Sequence, residues 1–318
     1  MDRMNPSALT VPAPDFPQLM SQLRARLHRY CARMTGSMLD GEDVVQETLI
    51  KANESYDARS VQNVEGWLFR IAHNAAMDFL RRRTREEMVF ASDEDVEAQI
   101  DTQAEADRRH VTTAALRTFM RLPPAQRSTV ILADVLGYAL DEAADVMGAT
   151  VPAVKAALHR GRARLRELSQ QPDDAAPPPS LSAADQALLA AYAERFNARD
   201  FDGLREMLGQ DVRLDLVARR KPMQGRGGEY FTNYAKTRGL QMTPMNLEGR
   251  PALWVDTEGD EGPGAPGYAV VLEWKHGKVA AIRDFRYARY ACIAPSPSGR
   301  GLGCGLIPTK TRGRTPRR

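Results

Sequence analysis

Three features of the sequence predict an all-α amino-terminal part followed by an α+β domain. Apolar residues recur at three-to-four spacing from Leu19 to about Leu80 and again from Val111 to Leu168, which is typical of amphipathic helices. Strand-like segments rich in β-branched and aromatic residues occur only after residue 210. Two polar segments separate these blocks. At 318 residues, the chain is also too long for one ordinary core and suits two domains.

Changes in composition divide the chain into blocks joined by linkers. The segment TREEMVFASDEDVEAQIDTQAEADRRH is acidic and nearly free of aromatic residues, so it cannot bury enough surface to order itself. QQPDDAAPPPSLS is rich in proline and is predicted to be stiff and extended. The predicted partition is a disordered amino terminus at 1–18, a helical block at 19–83, the acidic linker at 84–110, a second helical block at 111–169, the proline-rich linker at 170–182, the α+β domain at 183–290 and a basic disordered tail at 291–318.

The first helical block opens with two amphipathic helices. The apolar face of the first consists of Leu19, Leu23, Leu27, Tyr30 and Met34. Asp40 is the predicted N-cap of the second helix, DGEDVVQETLIKA, because acidic residues suit the positive end of a helix. With its apolar side turned inward, the outward side of this helix carries Asp43, Gln46, Glu47 and Lys51.

The third helix, WLFRIAHNAAMDFLRRR, has a polar face that suits single-stranded DNA. Single-stranded bases stack on aromatic surfaces while cations follow the backbone. Asn and Asp hydrogen-bond base edges, and arginines contact phosphates. The alternative for the tryptophan is a buried anchor of the helical block. The side chains of this face are Trp67, Arg70, Asn74, Asp78 and Arg81, extended by Arg82 and Arg83.

The second helical block carries a helix-turn-helix signature. A short helix from Leu140 to Met147 is followed by a Gly148-Ala149 turn and a long helix that ends near Leu168. The second helix of this motif enters the major groove of DNA. A solvated basic face is the alternative explanation for its cationic stripe. The predicted DNA-binding residues are the N-cap Thr150, Pro152 in the first turn, and Lys155, His159, Arg160, Arg162 and Arg166.

The whole of Leu19 to Leu168 resembles the extracytoplasmic-function (ECF) sigma factors of bacterial RNA polymerase. RYCARMTGSMLDGEDVVQETLIKA and WLFRIAHNAAMDFLRRR resemble their region 2, and LPPAQRSTVILADVLGYALDEAADVMGATVPAVKAALHRGRARL resembles region 4. The resemblance implies that Asp43, Gln46, Glu47 and Lys51 bind the clamp helices of core RNA polymerase. It also implies that the third helix melts the −10 promoter element after the preceding loop captures a flipped base, and that the recognition helix reads the −35 element. Ala157 and Gly161 depart from the family pattern, so the resemblance implies the class of protein but not its promoter preference.

Residues 183 to 290 resemble the SnoaL-like cone-shaped α+β fold, through LLAAYAERFNARDFDGLREMLGQDVRLDL and YAVVLEWKHGKVAAIRDFRYARY. Strands are predicted in DVRLDLVA, ALWVDT, GYAVVLEWK and KVAAIRDFRYARYA, with a hairpin turn at Lys275–Lys278. The resemblance implies a pocket, so a small-molecule ligand is a candidate partner, and Asp215 and Asp284 are the candidate polar groups. Alternatively, these carboxylates face solvent or pair with Arg283 or Arg286. The predicted regulatory contact consists of Arg283, Asp284, Arg286, Tyr287 and Arg289, joined by Tyr290; alternatively, the aromatic residues of this segment close the sheet.

Composition excludes several functional classes. Lys and Arg number 44 against 41 Asp and Glu, so the net charge of +3 favours no particular partner. Cys31, Cys292 and Cys304 have neither metal-ligand spacing nor an even-numbered framework, which indicates a reducing compartment. A signal peptide and an apolar run of about 18 residues are both absent from the sequence, so we predict a cytoplasmic protein without a membrane partner. No nucleotide-binding glycine loop, metal-ligand cluster or nucleophile elbow occurs, so we assign no cofactor, metal or catalytic residue.

The leading hypothesis is a sigma factor that binds core RNA polymerase and promoter DNA and is regulated by its α+β domain. A helix-turn-helix regulator with a ligand-sensing domain is the first alternative, but it leaves the DGEDVVQET and WLFRIAHN segments unexplained. A SnoaL-like enzyme fused to a DNA-binding segment is the second alternative. It requires a pocket acid or base, which the sequence alone does not assign.

Overall fold

A computed structural model describes residues 16–57, 61–90, 116–170, 180–218, 228–256 and 266–292. The chain divides into two compact units, Met1–Leu168 and Ser169–Arg318. Most of each predicted linker and most of each predicted disordered end lie outside the described residues, but residues 16–18 belong to the first helix and residues 291–292 are described. No described helix is long and apolar enough to cross a membrane.

The first helical block forms three helices, α1 (Phe16–Thr35), α2 (Met38–Ser55) and α3 (Val64–Phe90). Helix α1 begins three residues before the predicted start at Leu19. The N-cap of α2 is Ser37 and not Asp40, because the Ser37 hydroxyl accepts a hydrogen bond of 3.0 Å from the Asp40 amide. Helix α3 continues through Phe90, so the first seven residues of the predicted acidic linker are helical.

The second helical block forms α4 (Leu116–Met120), α5 (Pro124–Val130), α6 (Leu140–Met147) and α7 (Val151–Gln170). Helix α5 begins with proline in its first turn and ends in one π-helical turn at Ile131–Val135. The Glu142 carboxylate accepts from the Ala139 amide and caps α6. Helices α6 and α7, with Gly148 between them, confirm the predicted helix-turn-helix.

Both helical blocks contribute to one apolar core within the first unit. Leu27, Phe69 and Ala72 from the first block and Phe119 and Ile131 from the second are fully buried in a continuous cluster. Tyr138, in the loop before α6, lies with its ring 5.3 Å from the Phe69 ring. The two blocks therefore pack directly on each other.

The second unit is an α+β domain with a mixed five-stranded sheet. Its elements are α8 (Ala183–Asn197), α9 (Phe201–Met207), β1 (Leu208–Leu216), α10 (Gly228–Lys236), β2 (Gln241–Leu247), β3 (Arg250–Asp256), β4 (Tyr268–Lys275) and β5 (Lys278–Asp284). The strand order is β1-β5-β4-β3-β2, in which β1 pairs parallel to β5 and the other neighbours are antiparallel. Helix α8 packs on β2 and β3.

The four predicted strands and the Lys275–Lys278 hairpin are present, but the last strand ends at Asp284 and its predicted continuation to Ala291 is wrong, because a 3-10 turn forms at Arg289–Ala291. His276 and Gly277 both have positive φ, at 51° and 72°, as a two-residue turn between twisted strands requires. The sequence analysis did not identify α10 or β2. Strand β2 contains Pro244, which argues against a central strand, but β2 lies at the sheet edge where proline is tolerated.

Candidate nucleic-acid interface

The recognition helix α7 begins and packs as its sequence requires. Gly148 has the left-handed conformation, with φ of 61°, that allows the sharp turn after α6. The Thr150 hydroxyl accepts from the Ala153 amide at 3.4 Å, so Thr150 caps α7 as predicted. The inward residues are all buried, namely Val154, Leu158, Leu165 and Leu168.

Two positions on α7 that depart from the family pattern face the protein interior. Ala157 is buried, and a Cβ atom at Gly161 would lie 2.6 Å from the Val130 Cγ2 atom and 3.2 Å from the Gln126 carbonyl oxygen. The absence of a side chain at Gly161 allows α7 to pack closely against α5.

The predicted basic stripe of α7 contains side chains of different exposure, and one of its cations is held inside the unit. Lys155 and Arg160 are exposed, and His159 and Arg166 are half-exposed. Arg162 instead donates two hydrogen bonds, of 2.9 and 2.6 Å, to the carboxylate of Asp134, whose side chain is fully buried. Placing Arg162 on an open DNA-binding stripe was therefore wrong, because its guanidinium neutralises a buried carboxylate.

Several side chains on the polar face of α3 already have partners within the protein. Arg70 donates to the backbone carbonyl of Asp145 at the end of α6, with a distance of 2.8 Å from Nε. Asp78 pairs with Arg81 at 3.5 Å, Arg82 with Glu47 at 3.3 Å, and Arg83 with Asp40 at 4.0 Å. Asn74 is exposed. These exposed ion pairs are weak and separate readily in water.

Trp67 is both packed and partly exposed. Its ring lies 5.9 Å from the Tyr56 ring and 6.3 Å from the Phe16 ring, and Phe16 and Tyr56 stack at 3.7 Å. The side chain is half-buried, so it anchors α3 to α1 while one part faces outward. The loop between α2 and α3 is shorter than predicted because α3 begins at Val64 and not at Trp67, and residues 58–60 lie outside the described residues.

The outward face of α2 carries the four residues that the sequence predicts to bind polymerase. Asp43 and Lys51 are exposed, and Gln46 and Glu47 are half-exposed. Lys51 donates to the Glu47 carboxylate at 2.7 Å. Partial burial raises the pKa of Glu47, but hydrogen bonds from Lys51 and Arg82 outweigh it and hold the pKa below its usual value.

A buried polar cluster joins the two helical blocks, and the sequence analysis did not identify it. The Tyr30 hydroxyl lies 2.8 Å from both His73 Nδ1 and Ser128 Oγ, and Ser128 Oγ lies 3.1 Å from His73 Nδ1. Burial, reinforced by Arg81, lowers the pKa of His73 to about 4. Its imidazole is therefore neutral at physiological pH.

Arg127 adds a second connection between the blocks. Its guanidinium donates to four backbone carbonyls, those of Phe119, Met120 and Leu122 around the end of α4 and that of Met34 in α1. Burial lowers the pKa of Arg127 to about 10, so the side chain remains charged at neutral pH. The cation satisfies carbonyl groups that the ends of α1 and α4 leave without helical partners.

Asp284 lies in the interior of the α+β domain with 1% of its surface exposed, so it is not the surface contact residue that the sequence predicted. Its carboxylate accepts from the Tyr234 hydroxyl at 2.7 Å, the Tyr230 hydroxyl at 3.0 Å and the Arg286 amide at 2.8 Å. Burial raises the pKa of Asp284, although these hydrogen bonds oppose the shift. Strand β5 directs this side chain inward, towards the tyrosines of α10.

Among the other residues of the predicted regulatory segment, the arginines contact side chains of the same domain, whereas Tyr287 is exposed. Arg283 pairs with Asp215 at 3.2 Å, which agrees with the pairing alternative for Asp215. Arg286 lies over the Tyr234 ring and Arg289 over the Tyr268 ring. Tyr287 is 53% exposed. Within the described residues, no three His, Cys, Asp or Glu side chains converge as metal ligands.

The helix-turn-helix and its exposed basic residues are typical of the class of proteins that bind duplex DNA. The family model for Sigma-70 region 2 matches residues 19–86, and the model for Sigma-70, region 4 matches residues 113–165. The ECF RNA polymerase sigma factor SigM of Mycobacterium tuberculosis is 33% identical over 158 residues, which cover 48% of this chain and 76% of SigM. The chain belongs to the extracytoplasmic-function family of RNA polymerase sigma factors.

The similarity to longer relatives is partial. SigG of Mycobacterium tuberculosis, another ECF sigma factor, is 32% identical over 218 residues, and the match covers 61% of this chain and 59% of SigG. The chain thus spans less than two thirds of that relative. A crystal structure of the ECF sigma factor SigJ from the same species aligns over 84% of this chain with 20% identity and a TM-score of 0.33, which is too low to establish a shared arrangement.

Proposed function

We propose that this protein binds core RNA polymerase, recognises −35 and −10 promoter elements and initiates transcription. The observation that carries this proposal is the presence in one compact unit of a helix-turn-helix and a region 2 helix with an aromatic and basic polar face. A simple helix-turn-helix regulator has no use for the second feature. Duplex recognition is assigned to Lys155, His159 and Arg160, with the N-terminal residues Thr150 and Pro152 nearest the bases and Arg166 at the phosphates.

The −10 function is proposed for the outward residues of α3. Trp67 offers an aromatic surface, Asn74 an amide for base edges, and Arg81, Arg82 and Arg83 cations for the backbone. Arg70 and Asp78 join this face when their internal contacts open. The exposed ion pairs of the arginines cost little to exchange for phosphate contacts.

Promoter binding in this proposal requires the two helical blocks to separate. The two elements lie about 25 base pairs apart, which is roughly 85 Å along B-form DNA at about 3.4 Å per base pair. A compact unit of about 150 residues is only about 40 Å across. The contact between Arg70 of α3 and the end of α6 therefore belongs to a form that cannot engage both elements at once.

The α+β domain is proposed to be SnoaL-like and to regulate the sigma part through contact, with Arg286, Tyr287 and Arg289 at the surface involved. Supporting this, the helices pack on a mixed sheet, and Tyr287 is strongly exposed. A small-molecule ligand is proposed only for the interior around Asp284. Removing residues 183–318 is expected to change transcription, whereas Asp215→Ala leaves it unchanged because Asp215 pairs within the domain.

In vitro transcription with purified bacterial core RNA polymerase tests the main proposal. The full chain is expected to direct initiation at promoters that core enzyme alone does not use. Tight binding to promoter duplex without any effect on polymerase output would instead support the simple helix-turn-helix regulator. Permanganate reactivity of unpaired thymines separates recruitment from opening.

A further inference from the structure

A tyrosine of the second helical block is inserted among side chains of the first. Tyr138, in the loop before α6, lies with its ring 5.3 Å from the ring of Phe69 in α3. The guanidinium carbon of Arg26 in α1 lies 5.6 Å from the Tyr138 ring centre and 5.8 Å from the Phe69 ring centre. At these distances a cation is attracted to an aromatic ring. One side chain of the second block therefore contacts two helices of the first.

The polar end of Tyr138 is held as well as its ring. The hydroxyl donates a hydrogen bond of 2.8 Å to the carboxylate of Glu65, in the first turn of α3. The same carboxylate pairs with Arg26, which fixes it from a second side. Burial, together with the hydrogen bond to Glu65, raises the pKa of Tyr138, so the hydroxyl keeps its proton and remains a donor at physiological pH.

The loop that carries Tyr138 is tied to the helices on both of its sides. Gly137 turns the chain with a positive φ of 80°, and the Tyr138 amide donates to the Leu132 carbonyl at 3.0 Å. The next amide, that of Ala139, donates to the Glu142 carboxylate that caps α6. Because the loop is fixed in this way, Tyr138 leaves the first block only when the helix-turn-helix moves with it.

The partners of Tyr138 lie in the part of α3 that is proposed to act on the −10 element. Glu65 and Phe69 stand two residues before and two residues after Trp67, and the following residue, Arg70, contacts the end of α6. In this closed form, in which the two helical blocks pack on each other, α6 lies against α3. The blocks then cannot reach both promoter elements at once.

We infer that Tyr138 is an autoinhibitory latch: its insertion between Arg26, Glu65 and Phe69 keeps the helical blocks closed and so opposes promoter binding. This consequence rests on the proposed sigma function, whereas the latch itself is a contact within the helical unit. Binding that requires the open form is weakened in proportion to the fraction of molecules that are open. Releasing the latch therefore raises activity, which is opposite to the effect of losing a DNA contact.

The first test measures closure of the full-length protein at neutral pH, as the distribution of distances between labels on α2 and α6. Tyr138→Phe keeps the ring and removes only the hydroxyl donor, so it is expected to raise the ratio of open to closed molecules by about fivefold. Tyr138→Ser also removes the ring, and the ratio is expected to rise by about thirtyfold or more. In a Glu65→Ala background, Tyr138→Phe is expected to have no further effect because its acceptor is already gone.

Tyr56→Phe is the matched control for the loss of a tyrosine hydroxyl. Tyr56 stacks on Phe16 within the first block and not across the junction, so this variant is expected to leave the ratio of open to closed molecules unchanged. An unchanged ratio in both Tyr138 variants would overturn the latch. A rise in Tyr56→Phe equal to that in Tyr138→Phe would also overturn it.

The second test is in vitro transcription with purified bacterial core RNA polymerase and a limiting amount of the full chain. Tyr138→Phe is expected to raise output by up to about fivefold, in step with the open fraction. If the wild-type chain directs no initiation, the proposed function fails, and the label distances still decide whether Tyr138 holds the blocks closed. If the wild-type chain is active and Tyr138→Phe opens the blocks without raising output, the autoinhibitory role alone is overturned.

Discussion

Helices α3 and α7 both carry cations that the sequence assigns to DNA, but the protein uses these cations in different ways. On α7, Lys155 and Arg160 stay exposed while Arg162 is bound to the buried Asp134. On α3, Arg70 contacts the end of α6, and His73 on the inner side of the same helix joins a buried cluster with Tyr30 and Ser128. Helix α7 thus combines a structural cation with an exposed basic face, whereas α3 holds the two helical blocks together with groups that the proposed promoter binding would release.

The largest expected effect is on Arg162, and it concerns stability and not DNA recognition. Arg162→Ala is expected to destabilise the helical unit by about 3 to 5 kcal/mol, because it leaves the Asp134 carboxylate buried without its cation. The measurement is denaturant unfolding monitored by Trp67 fluorescence. Trp254 and Trp274 are substituted so that the signal comes from the helical unit alone. Arg162→Ala combined with Asp134→Leu recovers much of the loss if the pair acts as described. Unchanged stability together with weakened DNA binding would restore Arg162 to the DNA-binding stripe.

The junction between the helical blocks is expected to weaken in acid. Burial lowers the pKa of His73 from its ordinary value of 6.5 to about 4. Above about pH 6.5, neutral His73 fully stabilises the closed form, in which the two helical blocks pack on each other. This stabilisation is lost as the pH falls towards 4, because His73 can then take up a proton only if the blocks separate. The loss reaches about 3 kcal/mol near pH 4, at about 1.4 kcal/mol per pKa unit.

Small-angle scattering or distance measurements between labels on α2 and α6 follow this opening. His73→Gln removes the titrating group and serves as the control, so its variant is expected to lose the pH response between 6.5 and 4. An identical response in the His73→Gln protein would assign the acid effect to other groups.

The free cations of α7 are expected to produce a smaller effect that is specific to DNA. Lys155→Ala is expected to alter base preference because Lys155 lies near the start of the helix. If Arg160 contacts a guanine, Arg160→Ala is expected to weaken binding by about tenfold on the promoter duplex alone. If Arg160 contacts phosphate, the loss is expected to be similar on all sequences. Only the phosphate contact lowers the salt slope by about one. Salt titrations on promoter and unrelated duplexes separate these outcomes, and two variants indistinguishable from wild type would leave α7 as a solvated face.

The smallest expected effect concerns Arg70. Arg70→Ala is expected to loosen the contact between α3 and α6 by about 1 kcal/mol, the usual net contribution of a hydrogen bond. Asn74→Ala, one turn further along, is the matched control because Asn74 is exposed. It is expected to leave closure unchanged and to reduce permanganate-detected opening. If Arg70→Ala and Asn74→Ala weaken the contact between α3 and α6 equally, the distinction between contact residues and melting residues on α3 is contradicted.

Much of the fold follows from the sequence because its signals are local. Helical spacing predicts α1, α2 and α3, the Gly148 turn and Thr150 cap predict the helix-turn-helix, and alternating segments predict four of the five strands. One error comes from a tertiary environment that overrides a local rule, and another from a local cap that lies outside the predicted helix. Pro244 is compatible with a strand only because β2 lies at the sheet edge, and Ser37 replaces Asp40 as N-cap because helix α2 begins earlier than its acidic residues suggest.

The candidate site shows the same division between local pattern and three-dimensional pairing. The sequence by itself determined that cationic and aromatic side chains occupy one face of α3 and of α7, since a helix places residues three or four apart on the same side. Only the tertiary structure decided which of these charges is already satisfied: Arg162 by Asp134, which is 28 residues earlier, and Arg70 by a carbonyl 75 residues later. It also decided that Asp284 is buried among tyrosines and that Tyr138 docks against the first helical block. Partners so far apart along the chain leave no periodic signal, because their proximity results from helix packing and strand order and not from spacing.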